Sequence, residues 1–194
     1  MSNCSWGTKP SFTPTTLQEF YKDAKHSTTA ELWFTIAAAQ MQYGTSSKAV
    51  FEDSTKLEAG SSETGFVQPY WAKVIDKRLP TDTKICLKDC HGKPTIGTRK
   101  PDIIGYVRGE PESIFYIALV GELKGRRPAS KANFSHDEKG QLLSFLEDLL
   151  KLQTHRNEVS GFLSDGSYIQ FFRLMIITEE LILEEGPVDS LAGN

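Results

Sequence analysis

Seven consecutive residues, Ile114-Phe115-Tyr116-Ile117-Ala118-Leu119-Val120, carry no charge, and this run constrains the fold more than any other stretch. A strand wetted on one face alternates apolar and polar side chains. A run apolar at both parities is covered on both faces, which puts it centrally in a sheet. Upstream, Ile103-Ile104-Gly105-Tyr106-Val107 reads as a second strand, and Arg108 to Ser113 has the Gly and Pro content of a turn. The two runs predict a hairpin at the heart of a sheet.

Helical signals flank that hairpin. Thr16-Leu17-Gln18-Glu19 and Thr28-Thr29-Ala30-Glu31 are capping boxes, the first opening a short helix to about Lys25 and the second a more apolar helix to about residue 42. Pro69, with Trp71, Val74 and Ile75 after it, predicts another helix starting there and ending before Pro80. Ser135-His136-Asp137-Glu138 is a third box, and Leu142, Leu143, Phe145, Leu146, Leu149, Leu150 and Leu152 give its helix a broad apolar face. Ile85 to Leu87, Val159 to Leu163 and Tyr168 to Ile177 read as strands, the last two joined by Ser164-Asp165-Gly166-Ser167, a strong hairpin signal. Residues 1–14 read as a loose lead-in, 15–178 as a single domain and 44–66 within it as a mobile polar insertion. The expectation for 179–194 is an acidic tail, or a linker to a missing downstream domain.

With 194 residues and 39% hydrophobic content, one globular domain needs no metal or disulfide staple. The chain has no apolar run of about 18 residues, so no membrane partner is expected. No secretory signal is expected, and Cys4, Cys86 and Cys90 are odd in number without framework spacing, which points to a reducing compartment. The net charge of −3 hides a division: residues 1–83 sum to −1, residues 84–131 to +5 and residues 132–194 to −7. A basic middle third can hold phosphates although the chain is acidic, because screening limits each charge to about 10 Å.

The chemistry lies where ionisable residues meet the hairpin. Asp102, after Pro101, stands at the entrance of the first strand, with Glu122 and Lys124 at the exit of the second. Folding about residue 111 sets Asp102 about one residue along from Glu122, and the two-residue spacing puts Glu122 and Lys124 on one face. Two neighbouring carboxylates repel unless a cation lies between them, and Mg²⁺ is held by such a pair while keeping positions for water and phosphate oxygens. Lys124 would then orient the attacking water, help deprotonate it, or stabilise phosphate charge. The structural alternative is a salt bridge closing the sheet end, worth about 0–1 kcal/mol on a surface.

Pro101-Asp102, nineteen intervening residues and Glu122-Leu123-Lys124 resemble the PD-(D/E)XK signature of restriction-endonuclease-like nucleases. The resemblance extends over about residues 28–177 in element order: helix, three-strand meander, helix, strands. It implies an α/β fold with a restriction-endonuclease-like core, a central mixed β-sheet flanked by helices. It also implies Asp102 and Glu122 as ligands of Mg²⁺ or Mn²⁺, with the Leu123 backbone carbonyl as a third, and Lys124 as the catalytic lysine. Glu31 is a further metal-ligand candidate on the first helix, though it is equally the last residue of its own capping box. Gln141 matches the polar residue that such proteins carry early in the helix after the motif. The activity implied is metal-dependent hydrolysis of phosphodiester bonds in DNA or RNA with little sequence specificity; the alternative is a silent nuclease-fold module that docks nucleic acid or protein. Arg99, Lys100, Arg126, Arg127 and Lys131 frame the motif as a phosphate path.

The stretches TRKPDIIGYVRG, ALVGELKGRR, KGQLLSFLEDLL and SDGSYIQFFRL further resemble the nuclease-like domain of Crinkler-type effectors. That implies a downstream protein-kinase domain and action in the nucleus or cytoplasm, including that of a host cell. Many nucleases of the superfamily dimerise, so a homodimer is a further expectation. Tyr106, Phe115 and Tyr116 read as core rather than as base-stacking platforms. Cys86, Cys90 and His91 lack the second ligand pair of a zinc finger, and His26, His136 and His155 lack a nucleophile partner, so His-led chemistry is not expected.

Overall fold

The computed structural model describes residues 25–27, 60, 62–72, 85–128 and 133–191. The expected lead-in, the helices opened by Thr16 and Thr28, and most of the 44–66 insertion lie outside these residues.

The hairpin runs become β3 (Ile103–Val107) and β4 (Ile117–Leu123), paired antiparallel, with β2 (Ile85–Asp89) antiparallel on the outer side of β3. The central apolar run is shorter as a strand than expected. Ile114–Tyr116 forms a 3-10 turn, and Phe115, expected in the core, is 53% exposed beside the ring of His155. From β4 the chain crosses through a helix, α1 (His136–Leu152), to β5 (Glu158–Ser164), which pairs parallel to β4. The Ser135 box caps α1 as the sequence predicts: Ser135 Oγ accepts from Glu138 N–H at 3.3 Å and Glu138 Oε2 accepts from Ser135 N–H at 2.7 Å. The sheet continues antiparallel through β6 (Tyr168–Ile177) and β7 (Glu180–Ser190), and β1 (Lys25–Ser27) lies parallel to β7 at the edge. The strand order is β1-β7-β6-β5-β4-β3-β2, a mixed seven-stranded sheet.

β7 corrects the expected tail: residues 180–190 are a full strand of the sheet, not a linker. Its residues alternate (Leu181 and Leu183 buried, Glu180 and Ile182 more exposed), and its acids are neutralised locally, Glu184 by Arg173 and Glu185 by Lys139. The alternation is masked in the sequence by Glu184, whose side chain is buried because Arg173 reaches it. Lys25, expected to end a helix, opens β1.

Two apolar layers cover the sheet. On one face, Ile104, Val120, Leu163 and Leu174 pack under Leu142, Leu146 and Leu149 of α1. On the other, Ile103, Leu123, Phe162 and Phe171 pack under Val67, Tyr70 and Trp71. That second cover begins earlier than Pro69 predicts. A π-helical turn, Glu63–Val67, is capped by Ser62, whose Oγ accepts from Gly65 N–H, and helical backbone continues over 68–72. The wide turn precedes a proline that can give no amide hydrogen to a helix ladder. Glycines let the layers close: a Cβ on Gly121 would stand 2.3 Å from Phe162 Cζ, and one on Gly161 2.9 Å from the Val120 carbonyl. Among the described residues no helix is long and apolar enough to cross a membrane.

Candidate active site

Strand alternation sorts the hairpin side chains. Val120 faces α1, Gly121 and Leu123 face the 63–72 layer, and Glu122 and Lys124 return to the α1 side. The observed register is tighter than folding about residue 111 suggests. Ile103 pairs with Gly121 and Ile104 with Val120, so one further step brings Asp102 directly across from Glu122. The difference comes from the irregularity between Gly105 and Tyr106 and from the 3-10 turn, which together absorb residues the sequence reading spent in the strands.

Glu122, Lys124 and Gln141 form a closed polar ring. Lys124 Nζ donates to Glu122 Oε1 at 2.8 Å and to Gln141 Oε1 at 2.9 Å, and Gln141 Nε2 donates to Glu122 Oε1 at 2.6 Å. Glu122 is 4% exposed, and its second oxygen, Oε2, is buried with no hydrogen-bond partner. Burial pushes its carboxyl up to about 7, helped by the charge of Asp102 and opposed by Lys124.

Asp102, also buried, is gripped from three elements. Its Oδ2 accepts from Leu123 N–H at 2.7 Å, and its Oδ1 lies 3.1 Å from His91 Nδ1 and 3.4 Å from Gln68 Nε2. Gln68 Nε2 also lies 2.8 Å from His91 Nδ1 and 3.4 Å from Glu63 Oε1. Glu63 belongs to the same electrostatic cluster: burial raises its carboxyl, Lys124 lowers it and Asp102 raises it again.

Asp102, Glu122, Lys124 and Gln141 are therefore brought together at one end of β3 and β4. Glu31 and Lys131 lie outside the described residues. Three of the expected phosphate cations are dispersed into structural pairs. Arg99 holds Asp148 at 2.7 Å, and Arg126 lies 3.6 Å from the fully buried Asp165 and over the Tyr168 ring. Arg127 pairs with Glu138, donates to the Asn133 carbonyl and lies over Phe134. Lys100 is exposed.

Three residues of the site, Glu63, Gln68 and His91, were not legible in the sequence. Glu63 sits in a stretch without periodicity. His91 is brought there by strand pairing: β2 pairs with β3 as Asp89 with Ile103, which carries residues 90 and 91 back beside Asp102, and Cys90 N–H donates to the Asp102 carbonyl at 2.8 Å. Cys90 itself is a buried core thiol and Cys86 is exposed, both free.

Residues 66–156 match the model of a family described as a domain of unknown function, DUF6826. The match spans the meander, Asp102, Glu122, Lys124 and Gln141, and stops before β5. No curated protein and no solved structure matches the chain.

As they stand, no three His, Cys, Asp or Glu side chains among the described residues are arranged to hold a metal ion. The donor set nevertheless suits a hard cation that needs only one or two carboxylates, because the buried Glu122 Oε2 lacks a partner next to Asp102.

The Glu122 shift sets a pH dependence of stability. Its carboxyl binds a proton more tightly folded than unfolded, so its stabilising contribution is full below about pH 4.5 and is lost as pH rises through about 7. In EDTA the Tm of the wild type is expected to fall by a few degrees between pH 5 and pH 8.5, and Glu122→Gln to flatten that slope. Thermal melts across the range check this; parallel slopes for the two proteins would refute it.

Proposed function

We propose that the chain is a divalent-metal-dependent nuclease with a restriction-endonuclease-like core, hydrolysing phosphodiester bonds in DNA or RNA with little sequence preference. The observation carrying the reading is the convergence of Asp102, Glu122, Lys124 and Gln141 at one sheet end, with a buried carboxylate oxygen left unpaired. A solvated salt bridge needs no such burial. The sheet order and the helices on both faces, with a meander before α1, support the fold resemblance.

Asp102 and Glu122, with the Leu123 carbonyl, would hold Mg²⁺ or Mn²⁺, and Glu63, linked to Asp102 through Gln68, would add negative charge beside them. The bound ion supplies Lewis-acid polarisation of a phosphoryl oxygen. Lys124 brings an ammonium group to the sheet end, suited to orienting the attacking water and to stabilising charge on the phosphate. Gln141 fixes the Lys124 ammonium by accepting from it while it donates to Glu122.

Plasmid DNA and labelled single-stranded DNA and RNA, incubated with Mg²⁺, Mn²⁺ or EDTA, test the proposal. Metal-dependent cutting is expected from the wild type and loss of at least about 100-fold from Glu122→Ala and from Lys124→Ala. Equal cutting by the variants, or none by a folded wild type, would overturn it. One observation favours the alternative of a silent docking module: Lys124 is already engaged on both Glu122 and Gln141, a ring that closes the sheet without a metal. In that case Mn²⁺ leaves the melting temperature unchanged, whereas metal bound to the folded state raises it.

A further inference from the structure

The dispersal of Arg126 and Arg127 leaves the question of which cations meet a phosphate backbone. The loop between β2 and β3 answers it. Residues 91–100, His91-Gly92-Lys93-Pro94-Thr95-Ile96-Gly97-Thr98-Arg99-Lys100, hold three Lys or Arg side chains and no acid. All but Thr95 and Ile96 are exposed. Lys93 and Lys100 have no ion-pair partner among the described residues, in contrast to Arg126 with Asp165, Arg127 with Glu138, Lys139 with Glu185 and Lys151 with Glu147. A phosphate reaching Lys93 or Lys100 breaks no ion pair among the described residues, whereas one reaching Arg126 or Arg127 competes with a carboxylate for the arginine.

The loop is also built. Ile96 is fully buried in the core beneath α1, and Thr95 and Arg99 close a tight turn by hydrogen bonds of 2.9 Å between Thr95 N–H and the Arg99 carbonyl and between Arg99 N–H and the Ile96 carbonyl. Gly92 and Gly97 take positive φ (73° and 58°), which the reversals require. Its base is the candidate site: Cys90 N–H bonds to the Asp102 carbonyl and His91 Nδ1 lies 3.1 Å from the Asp102 carboxylate. The backbone that carries the cations is therefore tied down by the buried Ile96 and by hydrogen bonds, with both ends beside Asp102, so binding orders the lysine side chains rather than the loop.

We infer that the β2–β3 loop is the nucleic-acid clamp of this protein, with Lys93 and Lys100 gripping the sugar-phosphate backbone and leading a strand over His91 to Asp102. The partner follows from charge: among the described residues this loop presents two lysines without an ion-pair partner, and no acid, beside paired carboxylates, which suits a polyanion. The inference rests on the nuclease reading for the chemistry of the partner, and its test separates the two.

Binding of a fluorescein-labelled 20-nucleotide duplex, its single strand and the matching RNA is measured by anisotropy against salt, in EDTA and in Ca²⁺. The proteins are wild type, Lys93→Ala/Lys100→Ala and the control Lys88→Ala/Lys151→Ala, which removes the same charge elsewhere. The loop variant is expected to bind about tenfold more weakly and to lower the slope of log Kd against log salt by about 2, uniformly across sequences. The control is expected to change Kd less than about twofold. Equal losses in both variants, wild-type affinity in the loop variant, or no binding by the wild type in either condition would overturn the clamp. Cleavage is scored separately. Loop-dependent binding without cutting leaves the clamp standing and removes the nuclease, whereas cutting with loop-independent binding does the reverse.

Discussion

Asp102→Asn is expected to lower metal-dependent cleavage by about 10³-fold while leaving the fold intact, the largest functional effect of any conservative change in the chain. Asparagine keeps an oxygen that can accept the Leu123 N–H, the 2.7 Å bond that ties the start of β3 to the end of β4. It removes the negative charge, and with it half of the carboxylate pair. Cleavage rates alongside far-ultraviolet circular dichroism and thermal melts separate the two consequences. A variant that melts like the wild type and still cuts within about tenfold of it would deny Asp102 any part in the chemistry. Asp102→Ala differs in leaving the buried Leu123 N–H without its acceptor, so it is expected to cost about 1–3 kcal/mol of stability as well.

Phe162→Ala is expected to cost about 3–5 kcal/mol, and so to lower Tm by roughly 10 °C. Phe162 is fully buried, with its ring centroid 5.3 Å from that of Trp71 and 6.1 Å from that of Phe171, so truncation opens a cavity in the layer beneath residues 67–71. The ring also fills the place of a side chain on Gly121. An added Cβ there would lie 2.3 Å from Phe162 Cζ and 3.0 Å from Ile103 Cβ, so Gly121→Ala is expected to be destabilising too, by about 1–3 kcal/mol. Because the two changes act on one space, Gly121→Ala/Phe162→Ala should cost less than the sum of the single variants. Denaturant titrations of the three proteins measure the coupling. Strict additivity would mean that the ring does not occupy the glycine's space in solution. Gly121 adjoins Glu122, so overpacking also disturbs the candidate site.

The hairpin, α1 with its capping box, and the β5–β6 turn at Asp165-Gly166 were all legible because each is written in local periodicity and turn chemistry. β7 was not, since Glu184 and Glu185 break its apolar alternation and only Arg173 and Lys139, distant in sequence, explain them. The register error at Asp102 has the same origin: an irregularity at Gly105 and a 3-10 turn are local accommodations to packing, invisible to a count of residues about a turn. Phe115 was misread because strand periodicity cannot distinguish the first residues of a strand from a helical turn before it.

For the candidate site, strand spacing put Asp102, Glu122 and Lys124 forward, because the period of a strand fixes which side chains share a face, and the family resemblance added Gln141. It could not supply Glu63, Gln68 or His91, which reach Asp102 from a π-helical turn and a loop whose positions depend on long-range packing. Nor could it tell the cations apart. Composition counts Arg126, Arg127, Lys93 and Lys100 alike, but which of them is consumed by a carboxylate and which stands in solvent depends on where Asp165 and Glu138 come to lie. Sequence thus determined which chemical groups could meet at the end of this hairpin, through short-range geometry. Tertiary structure alone decided which charges were already paired, because pairing is a property of distances between segments that the chain brings together only on folding.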